Sequence, residues 1–301
     1  MGVERSAAVY VHFPFCLTKC RYCDFSSRAV RREGVPHDAY ARAVMNEWAA
    51  RARGPMGGME VPALFFGGGT PSLWSPRDVG RVIEAVMSGR GNDVEVSLEA
   101  NPGAFGEREA VGYRSAGVTR LSVGVQALAE RRLGILGRVH GGAEALGALR
   151  AARGAGFRTC SADVIYGLPG ERVEDALAEV RVLAAEGVEH ISAYALTVAE
   201  GTPLAESIRR GEERAPDEGE VAEAYLAVSE ELTSTGYEHY EVSNFARSGH
   251  RCVHHLHVWR GGQYVGLGAG AVGCVGGEGG GRVRTRNVGE ECELKCRSRW
   301  S

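Results

Sequence analysis

Three cysteines carry the most specific chemistry in this sequence. In residues 10–25, YVHFPFCLTKCRYCDF, Cys16, Cys20 and Cys23 stand in a Cys-x3-Cys-x2-Cys pattern, directly after a short apolar strand from Ala8 to Val11. Three thiolates on one tight loop can hold three irons of a [4Fe–4S] cluster, leaving the fourth iron without a protein ligand. An open iron ringed by backbone is a site for chemistry as well as electron storage. A structural zinc site needs four ligands, and the only other donor nearby is His12, inside the strand. A redox dithiol made of Cys20 and Cys23 leaves Cys16 unexplained. The spacing favours the cluster.

Other candidate groups lie further along. Gly67, Gly68 and Gly69 follow the apolar run Ala63-Leu-Phe-Phe66 and let backbone approach a ligand closely. Alone, a Gly-rich turn after a strand is a weak signal. Glu99 and Asp163 are carboxylates at strand ends. Each can cap a helix or form an internal ion pair as readily as accept hydrogen bonds from the amine or ribose of a nucleoside cofactor. Gln126 and Arg138 can bind polar or carboxylate groups, the arginine through its fork, although Arg138 reads equally as a solvated surface charge. His254, His255, His257 and Trp259 fall within six residues. Imidazole is a usual axial ligand of haem iron, and a polar loop packed against the body of the protein accounts for the same residues equally well. Cys160 reads as a small buried apolar residue. Cys252 and Cys274 have no evident partners, and Cys292 with Cys296 reads as an incidental pair.

Elements that position these groups follow from periodicity. Strands are expected at Ala8–Val11, Ala63–Phe66, Val94–Leu98, Arg120–Val125, Arg158–Ile165 and His190–Leu196, alternating with amphipathic helices such as 37–53 and 141–155. Six strand–helix units without a hairpin signal predict a parallel α/β sheet with right-handed crossovers. Six is fewer than the eight of a closed barrel, so the expected fold is a partial, TIM-like (β/α)6 barrel. Reactive groups gather at the C-terminal strand ends of such barrels, and the cysteine loop, the Gly-rich turn, Glu99 and Gln126 all lie there. Residues 1–200 are assigned to this barrel, 201–275 to an extension, and 276–301, rich in Gly and Arg, to a poorly ordered tail.

The whole chain of 301 residues has net charge −3, with no Lys/Arg stripe of the kind that marks nucleic-acid binding. No apolar run is long enough to span a bilayer, and no export signal is visible. Eight cysteines in a chain of this size do not form a disulfide framework, and free thiols with an iron–sulfur site fit a reducing cytoplasm.

The motifs YVHFPFC…CDF, FFGGGTPS, LEANP, RLSVGVQ, LGRVH, DVIYGLPGE, HISAYALT and EVSNFA closely resemble the oxygen-independent coproporphyrinogen III oxidase family of radical S-adenosyl-L-methionine (SAM) proteins, and within it the HemW-type haem chaperones. The similarity covers about residues 9–271. It implies that the open iron chelates SAM and that an electron passed to the sulfonium yields a 5′-deoxyadenosyl radical. Tyr10, Gly68 and Glu99 match family residues contacting the SAM at the cluster. Tyr22, Gly69, Thr70, Gln126, Arg138 and Asp163 match positions around a second SAM, and Ala195 a further one.

Two features separate the branches. The coproporphyrinogen dehydrogenases carry another Cys two positions after the third ligand, where this chain has Phe25, and a longer segment before the cluster strand. Both differences favour the haem-chaperone branch. That branch has a His-Asn-x-x-Tyr-Trp motif linked to haem binding; here His254 and Trp259 are kept, while His255 and Val258 replace Asn and Tyr. The expected function is haem binding and delivery to an acceptor protein. Oxidative decarboxylation of coproporphyrinogen III and radical chemistry on another tetrapyrrole are the alternatives, and the electron donor and acceptor are not named by the sequence.

Overall fold

The computed structural model describes residues 6–90, 94–277 and 281–289. In chain order its elements are β1 (Ala7–Phe13), β2 (Phe15–Cys16), β3 (Arg28–Ala29), α1 (His37–Ala52), β4 (Ala63–Gly68), α2 (Pro76–Met87), β5 (Glu95–Ala100), α3 (Glu107–Ser115), β6 (Arg120–Gln126), α4 (Glu130–Leu136), α5 (Gly142–Gly154), β7 (Thr159–Tyr166) and α6 (Val173–Ala185). Then follow β8 (His190–Ala195), α7 (Pro203–Arg209), α8 (Glu218–Ser234), β9 (Glu238–Glu241), β10 (Asn244–Ala246), α9 (Val253–Trp259), β11 (Gln263–Leu267), β12 (Val272–Gly276) and β13 (Arg282–Arg286).

Strands β1, β4, β5, β6, β7 and β8 are neighbours in that order and pair in parallel, which is the expected (β/α)6 arrangement. Local chemistry explains the connecting helices. In α2, Ser75 accepts the Asp78 N–H at 3.1 Å and Pro76 occupies the first turn, a standard N-terminal signal. Its face of Val79, Val82, Ile83 and Val86 is then buried. In α1, the same 3.6-residue period buries Ala41, Val44 and Trp48, and the Trp48 indole donates to the Ala85 carbonyl at 3.2 Å. No helix among the described residues is long and apolar enough to cross a membrane.

Each barrel strand has one face of Val, Leu, Phe and Ala packed under the helices. Its alternate residues differ: Tyr10 and His12, Phe65, Ser97 and Glu99, Ser122, Ser161 and Asp163, Ser192 and Tyr194. Side chains alternate along a strand, so these residues share the opposite face and line a polar lumen. The strands are thus buried on both faces, with only one of the two apolar.

Residues beyond 200 build onto the same sheet at both edges. β10 adds antiparallel to β8 and β9 antiparallel to β10, while β11 adds in parallel to β1 and is followed antiparallel by β12 and β13. Glu238–Glu241 and Asn244–Ala246 are two short strands joined by a tight turn. The expectation of an unordered tail from residue 276 fails for Arg282–Arg286, which pairs with Val272–Gly276 over five register positions. Backbone pairing needs no apolar alternation, which is why composition did not reveal it. Residues 290–301, with Cys292 and Cys296, lie outside the described residues.

Candidate functional site

The cysteine loop crosses the C-terminal mouth of the lumen. Cys16 is in β2, and its carbonyl accepts the Val30 N–H at 2.8 Å, tying the start of the loop to its return strand β3. Cys23 N–H donates to the Cys20 carbonyl at 3.2 Å, closing the turn that carries the other two thiols, and the Lys19 ammonium holds the Phe25 and Ser27 carbonyls at 3.0 and 3.3 Å. All three thiols are free. Burial raises the Cys16 pKa against hydrogen bonds from Thr70 and Ser27, and burial raises that of Cys23 against the Phe25 N–H. Among the described residues, no group of three His, Cys, Asp or Glu converges on a single-ion position. A cluster does not require that, because each thiolate takes its own iron.

The Gly-rich edge of β4 fits beneath this loop. Gly69 N–H donates to the Phe13 carbonyl at 2.8 Å and Thr70 N–H to the Phe15 carbonyl at 2.9 Å. A Cβ on Gly69 would lie 2.8 and 2.9 Å from the Phe15 and Phe13 carbonyl oxygens and 3.0 Å from the Cys16 sulfur. Gly68 has φ +111°, and a Cβ there would meet the His12 ring at 2.5 Å. The chain therefore presses bare backbone against the cysteine loop, where a side chain would obstruct both the sulfur and anything bound to it. That cradle, with three thiols above it, fits a cluster and a ligand reaching its open iron.

Polar groups converge just below. Gly68 N–H donates to Glu99 Oε2 at 3.1 Å. Burial and then the neighbouring Asp163 charge push Glu99 up to about 8. Ser122 donates to both Asp163 oxygens at 2.9 and 3.1 Å, and Ser192 also bonds it; burial still lifts Asp163 to about 6. The Ser26 carbonyl can only accept, so His12 Nε2, 2.7 Å away, carries hydrogen, and in the neutral ring Nδ1 accepts the Tyr10 hydroxyl at 2.9 Å. Burial and the Glu99 charge keep the Tyr10 phenol protonated. Gln126 closes β6 with φ +64°, the one non-glycine described in the left-handed region. Such strain persists where surrounding contacts over-determine it. Arg138 bridges Cys20 Sγ at 3.3 Å and the Gly124 carbonyl at 2.8 Å. Tyr22 packs against the apolar cluster that includes Leu133 and Leu136 of α4 and Ile165 of β7. Ala195 stands exposed at the end of β8.

The histidine-rich run forms α9, a helix where a loop was one reading, and its four candidates separate. The Arg120 guanidinium donates to the His250 carbonyl at 2.9 Å, and the Val253 N–H donates to Glu95 at 2.8 Å. Both partners are at the starts of their strands, so α9 closes the lumen at the end opposite the cysteines. His254 and His255 lie against Phe65, with ring centroids at 4.9 and 5.6 Å, and His254 is 6.3 Å from Tyr10. Burial depresses them to about 3 and 4, and Nδ1 of each has no partner among the described residues. His257 is instead bonded to the Gln263 carbonyl at 2.7 Å, and Trp259 is 61% exposed. They do not share one face.

Several site residues went unseen in the sequence: Ser122, Ser192, Ser26, Phe65, Tyr194 and Tyr40, whose hydroxyl donates to the His12 carbonyl at 2.6 Å. The available signal was polar alternation within each strand, which reads from Ser97/Glu99 through Ser122 and Ser161/Asp163 to Ser192/Tyr194.

With this geometry in place, comparison identifies the relatives. The radical SAM superfamily model matches residues 10–183. The chain is 38% identical over 273 residues to the heme chaperone HemW of Escherichia coli (strain K12), covering 89% of this chain and 70% of that protein. It is 41% identical over 274 residues to the heme chaperone HemW of Mycobacterium tuberculosis (strain CDC 1551 / Oshkosh), covering 89% and 69%. Among solved structures, the coproporphyrinogen III oxidase HemN from Escherichia coli superposes with a TM-score of 0.78 at 23% identity, over 96% of this chain and 68% of that one; that likeness establishes the fold. The chain belongs to the radical SAM superfamily and, within it, to the family of HemW-type heme chaperones.

Proposed function

We propose that this chain binds a [4Fe–4S] cluster through Cys16, Cys20 and Cys23, holds SAM below it, and carries haem to an acceptor protein. The observation that carries the reading is the fit of the bare Gly68–Gly69 backbone against the three-thiol loop, directly above Glu99 and Tyr10. When bound, the cluster and SAM supply one-electron chemistry, with the protein confined to holding and shielding them. Glu99 keeps one oxygen on the Gly68 N–H and offers the other to a cationic amine. Tyr10 is oriented by His12, and His12 by the Ser26 carbonyl, so that face is preorganised. Asp163, fixed by Ser122 and Ser192, supplies a second acceptor across the lumen.

For haem, His254 and His255 are the stronger candidates, because each is held neutral by burial with an unpartnered Nδ1. His257 already spends its ring on Gln263. Phe25, where the dehydrogenase branch has Cys, supports the chaperone over the oxidase.

Two measurements test the reading. Anaerobic reconstitution should load about four irons per chain, and Cys20→Ala should lose the cluster absorbance; unchanged iron in that variant rejects the cluster. Haem titration should show uptake that falls in His254→Ala or His255→Ala and is retained in His257→Ala. Absence of uptake by the wild type, with turnover of coproporphyrinogen III given SAM and a reductant, would transfer the assignment to the oxidase.

A further inference from the structure

The role of Arg138 is not settled by resemblance, which points it at a second SAM. Its position is unusually well determined. Gly137 ends α4 in the left-handed conformation at φ +70°, and the Arg138 N–H returns to the Leu133 carbonyl at 2.9 Å. The same helix end is docked on the cysteine loop: the Arg21 N–H donates to the Leu136 carbonyl at 3.0 Å, and a Cβ on Gly137 would lie 2.7 Å from Arg21 Cγ. The backbone of Arg138 and that of the loop therefore move as one piece.

From there the guanidinium spends both terminal nitrogens. Nη1 donates to Cys20 Sγ at 3.3 Å, and Nη2 donates to the Gly124 carbonyl at 2.8 Å, at the end of β6. Nε is buried and has no partner among the described residues.

We propose that Arg138 is a positioning residue for the cluster, and that its hydrogen bond to the Cys20 sulfur sets the cluster's reduction potential. The inference rests on the cluster reading above. Reduction adds negative charge to a centre already ligated by three thiolates. A fixed cation and an N–H donor on a ligating sulfur stabilise that charge, and both are recognised controls of cluster potential.

The test is an EPR-monitored redox titration of the anaerobically reconstituted full chain, with dithionite and mediators, on wild type, Arg138→Gln and Arg138→Lys. Arg138→Gln, with iron content retained, should shift to a more negative potential by a roughly tenfold change in the reduction equilibrium, about 59 mV for one electron. Arg138→Lys keeps the charge without the fork and should fall between. A glutamine variant with full iron and the wild-type potential overturns the proposal. Should Arg138→Gln fail to hold iron, wild type grown with 15N-guanidino arginine decides. A 15N hyperfine coupling on the reduced cluster, lost in Arg138→Lys, is expected, and its absence overturns the assignment. Wild type that takes up no iron rejects the cluster reading itself, a separate outcome.

Discussion

Among the described residues Glu99 has a single hydrogen-bond donor on it, the Gly68 N–H, and it shares the lumen with a second carboxylate. Burial first, and Asp163 second, place its folded pKa at about 8 against an ordinary 4.5. A carboxyl raised in the folded state contributes stability that is fully present below about 4.5 and is lost as pH rises through about 8. Asp163 adds a smaller effect of the same sign between 3.8 and about 6. The ligand-free protein should therefore lose thermal stability from pH 5 to pH 8, and Glu99→Gln should flatten that slope while keeping the Gly68 bond. Melting temperatures of both proteins across that range check it; parallel slopes would refute it. Adding SAM, whose amine and sulfonium are cationic, should restore wild-type stability at pH 8 more than that of Glu99→Gln. Glu99 itself was visible in the sequence as a carboxylate at a strand end. Ser122 and Ser192, which hold Asp163, were not. A serine within a strand carries no signal until the register puts it beside its partner.

At the scale of elements, the turn between β11 and β12 braces the end of β1, from which the cysteine loop departs. Gly268 N–H donates to Glu47 at 2.8 Å and Ala269 N–H to the Tyr40 hydroxyl at 3.2 Å, while Tyr40 holds the His12 carbonyl. Asn287, just past β13, donates to both Glu47 and the Gly268 carbonyl at 2.8 Å. Gly268 has φ +91°, and a Cβ would fall 2.5 Å from the Tyr40 oxygen and 2.6 Å from the His12 carbonyl. Gly268→Ala should cost at least about 1–3 kcal/mol from backbone strain, read by urea denaturation, and should speed loss of cluster absorbance in air. Tyr40→Phe added to it removes one of the two clashing oxygens, so part of the stability should return. A Gly268→Ala protein with wild-type stability would mean the turn is not under this constraint. The barrel elements were legible because short apolar strands alternate with helical segments, α2 carrying the clearest 3.6-residue period with Val79, Val82, Ile83 and Val86 buried. This brace was not, since β13 alternates Arg with Val and Thr and is held by backbone pairing and one asparagine.

For the molecule as a whole, the lumen is a chamber with a chemical mouth and a polar floor. The mouth is the cysteine loop. The floor is the 250–259 segment, which reaches β5, β6 and β7 through Glu95, Arg120 and the Thr159 hydroxyl, 2.9 Å from His250 Nδ1. Arg120 is the keystone: it is 3% exposed, bonds the His250 carbonyl at 2.9 Å, and lies 3.8 Å from Glu95. Removing one partner of a buried ion pair leaves the other charge uncompensated, which costs more than the pair is worth. Arg120→Met should thus destabilise by about 3 kcal/mol, and Glu95→Gln in the same chain should recover much of that loss by removing the stranded charge. Urea titrations of the two single variants and the double variant measure the coupling; simple additivity would show that the two side chains act independently. The same variants report on the histidines, because α9 begins at Val253, whose N–H rests on Glu95. If His254 and His255 take haem from within the lumen, Arg120→Met should change haem uptake together with stability, and the double variant should restore both. If stability returns without uptake, haem binds elsewhere on the protein.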